Sequence, residues 1–204
     1  MNLWHDLSPG VNPPEKLTSV IEISAGSQNK FELDKDTGLL RLDRVLNGSV
    51  MYPTDYGFIP QTLAEDNDPL DILLLSTNPI PERTLVDCRP IGVLHMIDDG
   101  ETDDKIVMVP YNDPRWVDIE SLDQIPVGRK AEIQKFFLTY KLLEKKYEPW
   151  QELADQKVGG IGDVPTSFAQ PGHKKTEVPG YLDATAAKKI IMECIERYKQ
   201  KYGK

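Results

Sequence analysis

The densest chemistry in the sequence is the string Asp66-Asn67-Asp68-Pro69-Leu70-Asp71, which runs directly into the apolar stretch Ile72-Leu73-Leu74-Leu75. Three carboxylates therefore stand at the mouth of a buried strand. Two like unit charges about 4 Å apart repel by roughly 1 kcal/mol in water and roughly 4 kcal/mol at the effective dielectric near a protein surface. Such a group calls for a compensating cation. Carboxylate oxygens with no histidine or cysteine nearby suit Mg²⁺ or Mn²⁺ rather than zinc. The string is not an EF-hand loop, because the glycine at its sixth position and the glutamate at its twelfth are missing. Taken singly, an Asp-rich turn of this kind is more often just solvated.

Further groups raise the odds of a site. Residues 91–97 read as a strand, Asp98-Asp99-Gly100-Glu101-Thr102 as a turn, and the chain from Asp103 to Val109 as the returning strand. Alternate residues of a strand share a face, which puts Asp103 beside Lys105 with Asp98 across the hairpin. Lys30-Phe31-Glu32 repeats the pattern, a cation and a carboxylate on one face and Phe31 turned to the core, and Arg44 follows on the next arm. A guanidinium suits a pair of phosphate oxygens, and a lysine supplies a point charge. Tyr52-Pro53-Thr54-Asp55-Tyr56-Gly57-Phe58 reads as an aromatic loop with hydroxyls to donate, and Tyr140-Lys141 adds another hydroxyl and cation. Each of these alone reads more simply as surface strand, packed loop or core tyrosine.

The elements that must position these groups fall into two regions. From about residue 17 to 110 the chain reads as short strands broken by turn residues, at 19–23, 29–33, 39–46, 71–75, 84–96 and 105–110. Asp34-Lys35-Asp36-Thr37-Gly38 is a hairpin turn by composition. This spacing predicts a small closed barrel. Beyond residue 110, Ile133, Phe136, Phe137, Tyr140 and Leu143 recur at helical spacing and predict an amphipathic helix over 130–147. A second helix is expected over 184–201, with Asp183 as N-cap and Ile190, Ile191, Cys194, Ile195 and Tyr198 on its buried side. Residues 148–182 carry four prolines and five glycines and read as an irregular insertion.

Length and composition set limits. The 204 residues, 39% of them apolar, suffice for one core and do not require two domains. With 24 Lys and Arg against 33 Asp and Glu, the net charge of -9 offers no basic field to displace counterions from nucleic acid. No stretch approaches the run of about 18 apolar residues that a membrane span needs. Cys88 and Cys194 lie far apart, and the opening Met-Asn-Leu-Trp-His-Asp has no basic region leading into an apolar one. A cytoplasmic, disulfide-free protein is expected.

Taken together and in order, Val20-Ile21-Glu22-Ile23, Lys30-Phe31-Glu32, Asp43-Arg44, Tyr52-Pro53-Thr54-Asp55-Tyr56-Gly57, Asp66 to Asp71, Arg89-Pro90-Ile91-Gly92-Val93, Asp98 with Asp103-Asp104-Lys105, and Tyr140-Lys141 resemble the family I soluble inorganic pyrophosphatases. The resemblance runs from about residue 17 to 147. It implies a mainly β, α+β fold: a five-stranded OB-like barrel with two main flanking helices, in one domain spanning 1–204. It implies Mg²⁺-dependent hydrolysis of pyrophosphate, with several ions in the site and Mn²⁺ as a substitute. By matched position, Asp66, Asp71 and Asp103 would bind the first metal and Asp71 would reach the second. Asp98 and Asp103 would hold a metal arriving with substrate, and Glu22 and Glu32 would complete the acidic wall. Asp68 would be the general base. Lys30, Arg44, Tyr56, Lys105, Tyr140 and Lys141 would grip the phosphoryl groups. A homo-oligomer, plausibly a hexamer, is implied as well. The long 148–182 segment and the first sixteen residues depart from compact bacterial members and bear on assembly, not on the reaction.

Two competing readings stay in view. One is another Mg²⁺-dependent phosphohydrolase acting on nucleotides, although the Walker loop G-x-x-x-x-G-K-[ST] is missing. The other is an OB-type binding module without catalysis.

Overall fold

A computed structural model describes residues 1–141 and 176–203 of the chain. Its strands are β1 (Leu17–Ile23), β2 (Asn29–Leu33), β3 (Leu40–Val45), β4 (Asp55–Ile59), β5 (Leu70–Leu74), β6 (Leu85–Asp98), β7 (Glu101–Thr102), β8 (Lys105–Pro110) and β9 (Thr176–Leu182). Two α-helices, α1 (Val127–Thr139) and α2 (Ala184–Tyr202), accompany them.

Five strands close on themselves. β1 pairs with β4, β4 with β5, β5 with β8, β8 with β6, and β6 returns to β1, all antiparallel except β5 with β8. This ring is the expected five-stranded OB-like barrel. β6 spans 14 residues and so serves several partners: its start pairs with β1, its middle with β8, and its end with β7 and β9.

One member of the ring is missing from the sequence reading. β2 and β3 form a hairpin of their own outside the barrel. The ring includes β4, drawn from the segment read as an aromatic loop. Gly57 looks like a turn residue, yet it sits mid-strand because β1 passes too close for any side chain: a Cβ there would lie 1.9 Å from the Val20 carbonyl oxygen. At the tip of β6 the expected five-residue turn shrinks to Asp99-Gly100, both at positive φ (56° and 87°), and flanks the short β7. A two-residue hairpin loop with two left-handed residues needs this Asp-Gly chemistry.

The barrel strands are buried on both faces. Ile72, Leu74, Ile106 and Met108 enter a core with Ala187, Ile191, Cys194 and Ile195 of α2. Their neighbours Leu73, Leu75, Val107 and Val109 enter a second core with Ile133, Phe136 and Phe137 of α1. Because successive side chains point to opposite faces, a strand covered twice reads as an unbroken apolar run, which is what Ile72 to Leu75 shows.

α1 starts at Val127, after Pro126, rather than at 130. Its expected continuation over 142–147, including Leu143, lies outside the described residues. α2 begins where expected: the Asp183 carboxylate accepts from the Ala186 amide at 2.8 Å, and Gly203 closes the helix at φ 68°. Ile190 is only partly buried beside α2's core residues. The segment expected to stay irregular as far as residue 182 is instead strand over Thr176–Leu182, paired with the end of β6. Pro179 is tolerated there because β9 has no other partner among the described strands, so the missing amide costs no ladder bond. The remainder of that segment, 148–175, lies outside the described residues.

Candidate active site

The carboxylates and cations converge on one cleft. Asp66 and Asp68 stand on the loop entering β5, and Asp71 is the second residue of that strand. Between the first two, Asn67 adopts a left-handed φ of 69°, a conformation asparagine tolerates. Its side chain accepts from Lys201 of α2 at 3.0 Å, which ties the loop to the helix. The Asp66 carboxylate accepts from the Asp68 amide at 3.0 Å.

Lys105, the first residue of β8, is the centre of the arrangement. It is 2% exposed, and its ammonium lies 2.7 Å from Asp71 Oδ2 and 2.8 Å from Asp103 Oδ1. Burial opposes its charge, but the two carboxylates outweigh burial and hold its pKa well above the usual lysine range. The Tyr56 hydroxyl, on β4, also donates to Asp71 Oδ2. Burial and the Asp71 charge push that phenol far up, so it remains a donor.

Other groups close the walls. Glu22 on β1 is buried and accepts from the Leu33 amide at 2.9 Å. Burial, then the negative charge of Asp71, push its carboxyl up to about 8. Lys30 on β2 pairs with Glu32 two residues along and with Asp43 on β3 at 3.1 Å. Asp98 at the end of β6 accepts from Lys141 at 2.7 Å and from the Thr176 hydroxyl at 2.8 Å. Tyr140 caps α1 with its ring stacked on Phe136, 5.1 Å between centroids.

A cleft of about 360 Å³ unites them, lined by Glu22, Lys30, Glu32, Lys35, Tyr56, Asp66, Asp68, Asp71, Asp98, Asp103, Lys105, Tyr140 and Lys141. Every residue given a metal, base or phosphate-gripping role from the sequence, except Arg44, is in that wall. Arg44 sits one strand away, opposite Lys30 in the β2–β3 register, and donates to Asp43. Lys35, in contrast, lines the cleft and pairs with Asp68, although the sequence offers it only as part of a turn.

The donor set suits a hard divalent cation. It consists of carboxylate oxygens, and neither His nor Cys lines the cleft. Seven carboxylates against four lysines leave it short of positive charge. Among the described residues no three His, Cys, Asp or Glu side chains stand close enough to hold a metal by themselves; lysines lie between them. Mg²⁺ is compatible with this, since it keeps several waters and binds through one or two carboxylates plus substrate phosphates rather than an all-protein cage.

A β-barrel with a cleft of interleaved carboxylates and lysines defines a class: hydrolases of phosphoric anhydrides. The family model described as inorganic pyrophosphatase matches residues 19–159. The crystal structure of inorganic pyrophosphatase from Thermus thermophilus is similar at a TM-score of 0.81 and 41% identity, covering 98% of this chain and 99% of that one. The inorganic pyrophosphatase of Haloferax volcanii is 38% identical over 203 residues, 100% of this chain and 99% of the relative. Soluble inorganic pyrophosphatase 2 of Chlamydomonas reinhardtii is 40% identical over 199 residues, 98% of this chain and 89% of the relative. The chain belongs to the inorganic pyrophosphatase family, and membership implies a divalent metal cofactor.

Proposed function

We propose that the chain hydrolyses inorganic pyrophosphate to two phosphates, with Mg²⁺ held by the cleft carboxylates and Asp68 as the general base. The observation that carries this reading is the mixture of seven carboxylates and four lysines along one cleft. A wholly basic pocket would bind the anion without drawing in metal ions, and a wholly acidic one would repel it.

Asp66, Asp71 and Asp103 would hold a first Mg²⁺, in part through its waters, Asp71 a second, and Asp98 with Asp103 an ion that enters with substrate. Glu22 and Glu32 complete the negative wall, and Mn²⁺ can substitute for Mg²⁺. Bound divalent ions supply water of lowered pKa and charge neutralisation at the phosphoryl oxygens. Asp68 takes a proton from the attacking water while that water's oxygen bonds to one phosphorus. The bridging P–O bond breaks, and its electron pair leaves with the second phosphate. Lys30, Lys105 and Lys141 stabilise the charge gathering on the oxygens, Tyr56 and Tyr140 donate to them, and Arg44 extends the cationic rim beside Lys30.

The wider reading is of one domain over 1–204 acting in the cytoplasm. Two buried free thiols suit a reducing compartment, and no described helix is long and apolar enough to cross a membrane. A homo-oligomer, plausibly a hexamer, is part of the proposal: Leu39, Leu42, Val45 and Met51, on and around β3, are each more than half exposed.

Phosphate release from pyrophosphate and from ATP, each with Mg²⁺, tests the function. Pyrophosphate is expected to react faster by at least about a hundredfold, with activity abolished by a chelator and restored by Mg²⁺. A preference for ATP would point to a nucleotide phosphohydrolase, and no release from either to a binding module.

A further inference from the structure

Lys35 stands in the β2–β3 turn, and its ammonium donates to Asp68 Oδ1 across 33 residues of chain. The two side chains are about half exposed, at 48% and 51%, and a pair that open adds little to stability. What distinguishes it is how the lysine is held. Its ammonium lies 5.6 Å over the ring of Trp4, which is 2% exposed and donates its Nε1 proton to the Thr62 carbonyl at 2.8 Å. The Lys35 carbonyl accepts from the Asn2 side chain at 3.0 Å. Gly38 closes the same turn against the N-terminal backbone, where a Cβ would come within 2.9 Å of the Met1 carbonyl oxygen. A free lysine side chain samples many rotamers, and these contacts restrict that freedom. A turn that could wander over the cleft mouth is pinned by residues 1–4.

From this geometry we propose that Lys35 is a positioning residue for Asp68, held over the cleft by the N-terminal segment. It occupies Oδ1 and leaves Oδ2 to accept the proton. The proposal rests on the assignment of Asp68 as general base. Lys35 fixes the direction of the carboxylate, and its ammonium is engaged by Asp68, so its loss falls more on turnover than on binding.

A double-mutant cycle tests this with pyrophosphate and Mg²⁺, using the full chain carrying Lys35→Met, Lys35→Arg, Asp68→Asn, and Lys35→Met with Asp68→Asn. Lys35→Met is expected to lower kcat about tenfold with KM changed less than about threefold, and Lys35→Arg to recover most of the loss. In the Asp68→Asn background, Lys35→Met is expected to cost less than about twofold, because the group it positions is gone. An equal loss in both backgrounds, a rise in KM at constant kcat, or no loss at all would overturn the proposal while leaving the base assignment standing. Wild-type turnover in Asp68→Asn itself would remove that assignment, and the proposal with it.

Discussion

Removing the Lys105 ammonium leaves Asp71 and Asp103 without the charge that now lies between them. Breaking a buried pair from one side costs about 3–5 kcal/mol; because the two carboxylates keep 24% and 22% exposure, about 2 kcal/mol is expected for Lys105→Met in chelated protein. The check is the urea midpoint, which should fall and then recover in part when Mg²⁺ is added. An unchanged midpoint would contradict this electrostatic account. At this scale the sequence was informative wherever the partners were local: Asp66 with Asp71, and Asp103 with Lys105, are brought together by one loop or by strand alternation. Lys35 was not legible, since its pairing with Asp68 depends on Trp4 and Asn2 packing from the far end of the chain. Arg44 was legible as a cation near Lys30, but whether it enters the cleft is decided by the β2–β3 register.

At the scale of elements, the close pairing of β1 with β4 at Gly57 is the tightest requirement. Gly57→Ala would drive a methyl to 1.9 Å from the Val20 carbonyl oxygen, so the two strands must separate. A loss of about 3 kcal/mol or more is expected, as a lowered thermal midpoint; a variant as stable as the parent would show that the pairing is looser than described. The same glycine explains why β4 is not legible in the sequence. In Tyr52 to Phe58, proline, aspartate and glycine give the composition of a loop, and only the approach of β1 reveals why a strand needs a bare Cα there. The helices were easier. Apolar spacing and the Asp183 cap are local signals, and α2 begins at the expected residue. β9 was hidden because Pro179 and Gly180 suggest a break, whereas a strand held from one side only admits both.

For the molecule as a whole, both thiols are sealed in the core, at 0% and 1% exposure. Burial pushes Cys88 up to about 12 and Cys194 up to about 11 from an ordinary 9. Folded-state values above the unfolded ones mean that this contribution to stability is fully present below pH 9 and fades as pH rises through 11 to 12. Iodoacetamide at pH 8 is therefore expected to label neither cysteine until the chain unfolds, and the alkaline fall in urea midpoint should be shallower in Cys88→Ala; rapid labelling of the folded chain would contradict the packing. The central claim is that carboxylates from β1, the β5 entrance, the β6–β8 hairpin and β2 share bound divalent cations. Calorimetric titration of Mg²⁺ into chelated protein tests it most directly. More than one ion per chain is predicted for the parent, with affinity for the first weakened at least about tenfold by Asp71→Asn. No binding, or binding indifferent to that substitution, would contradict the account.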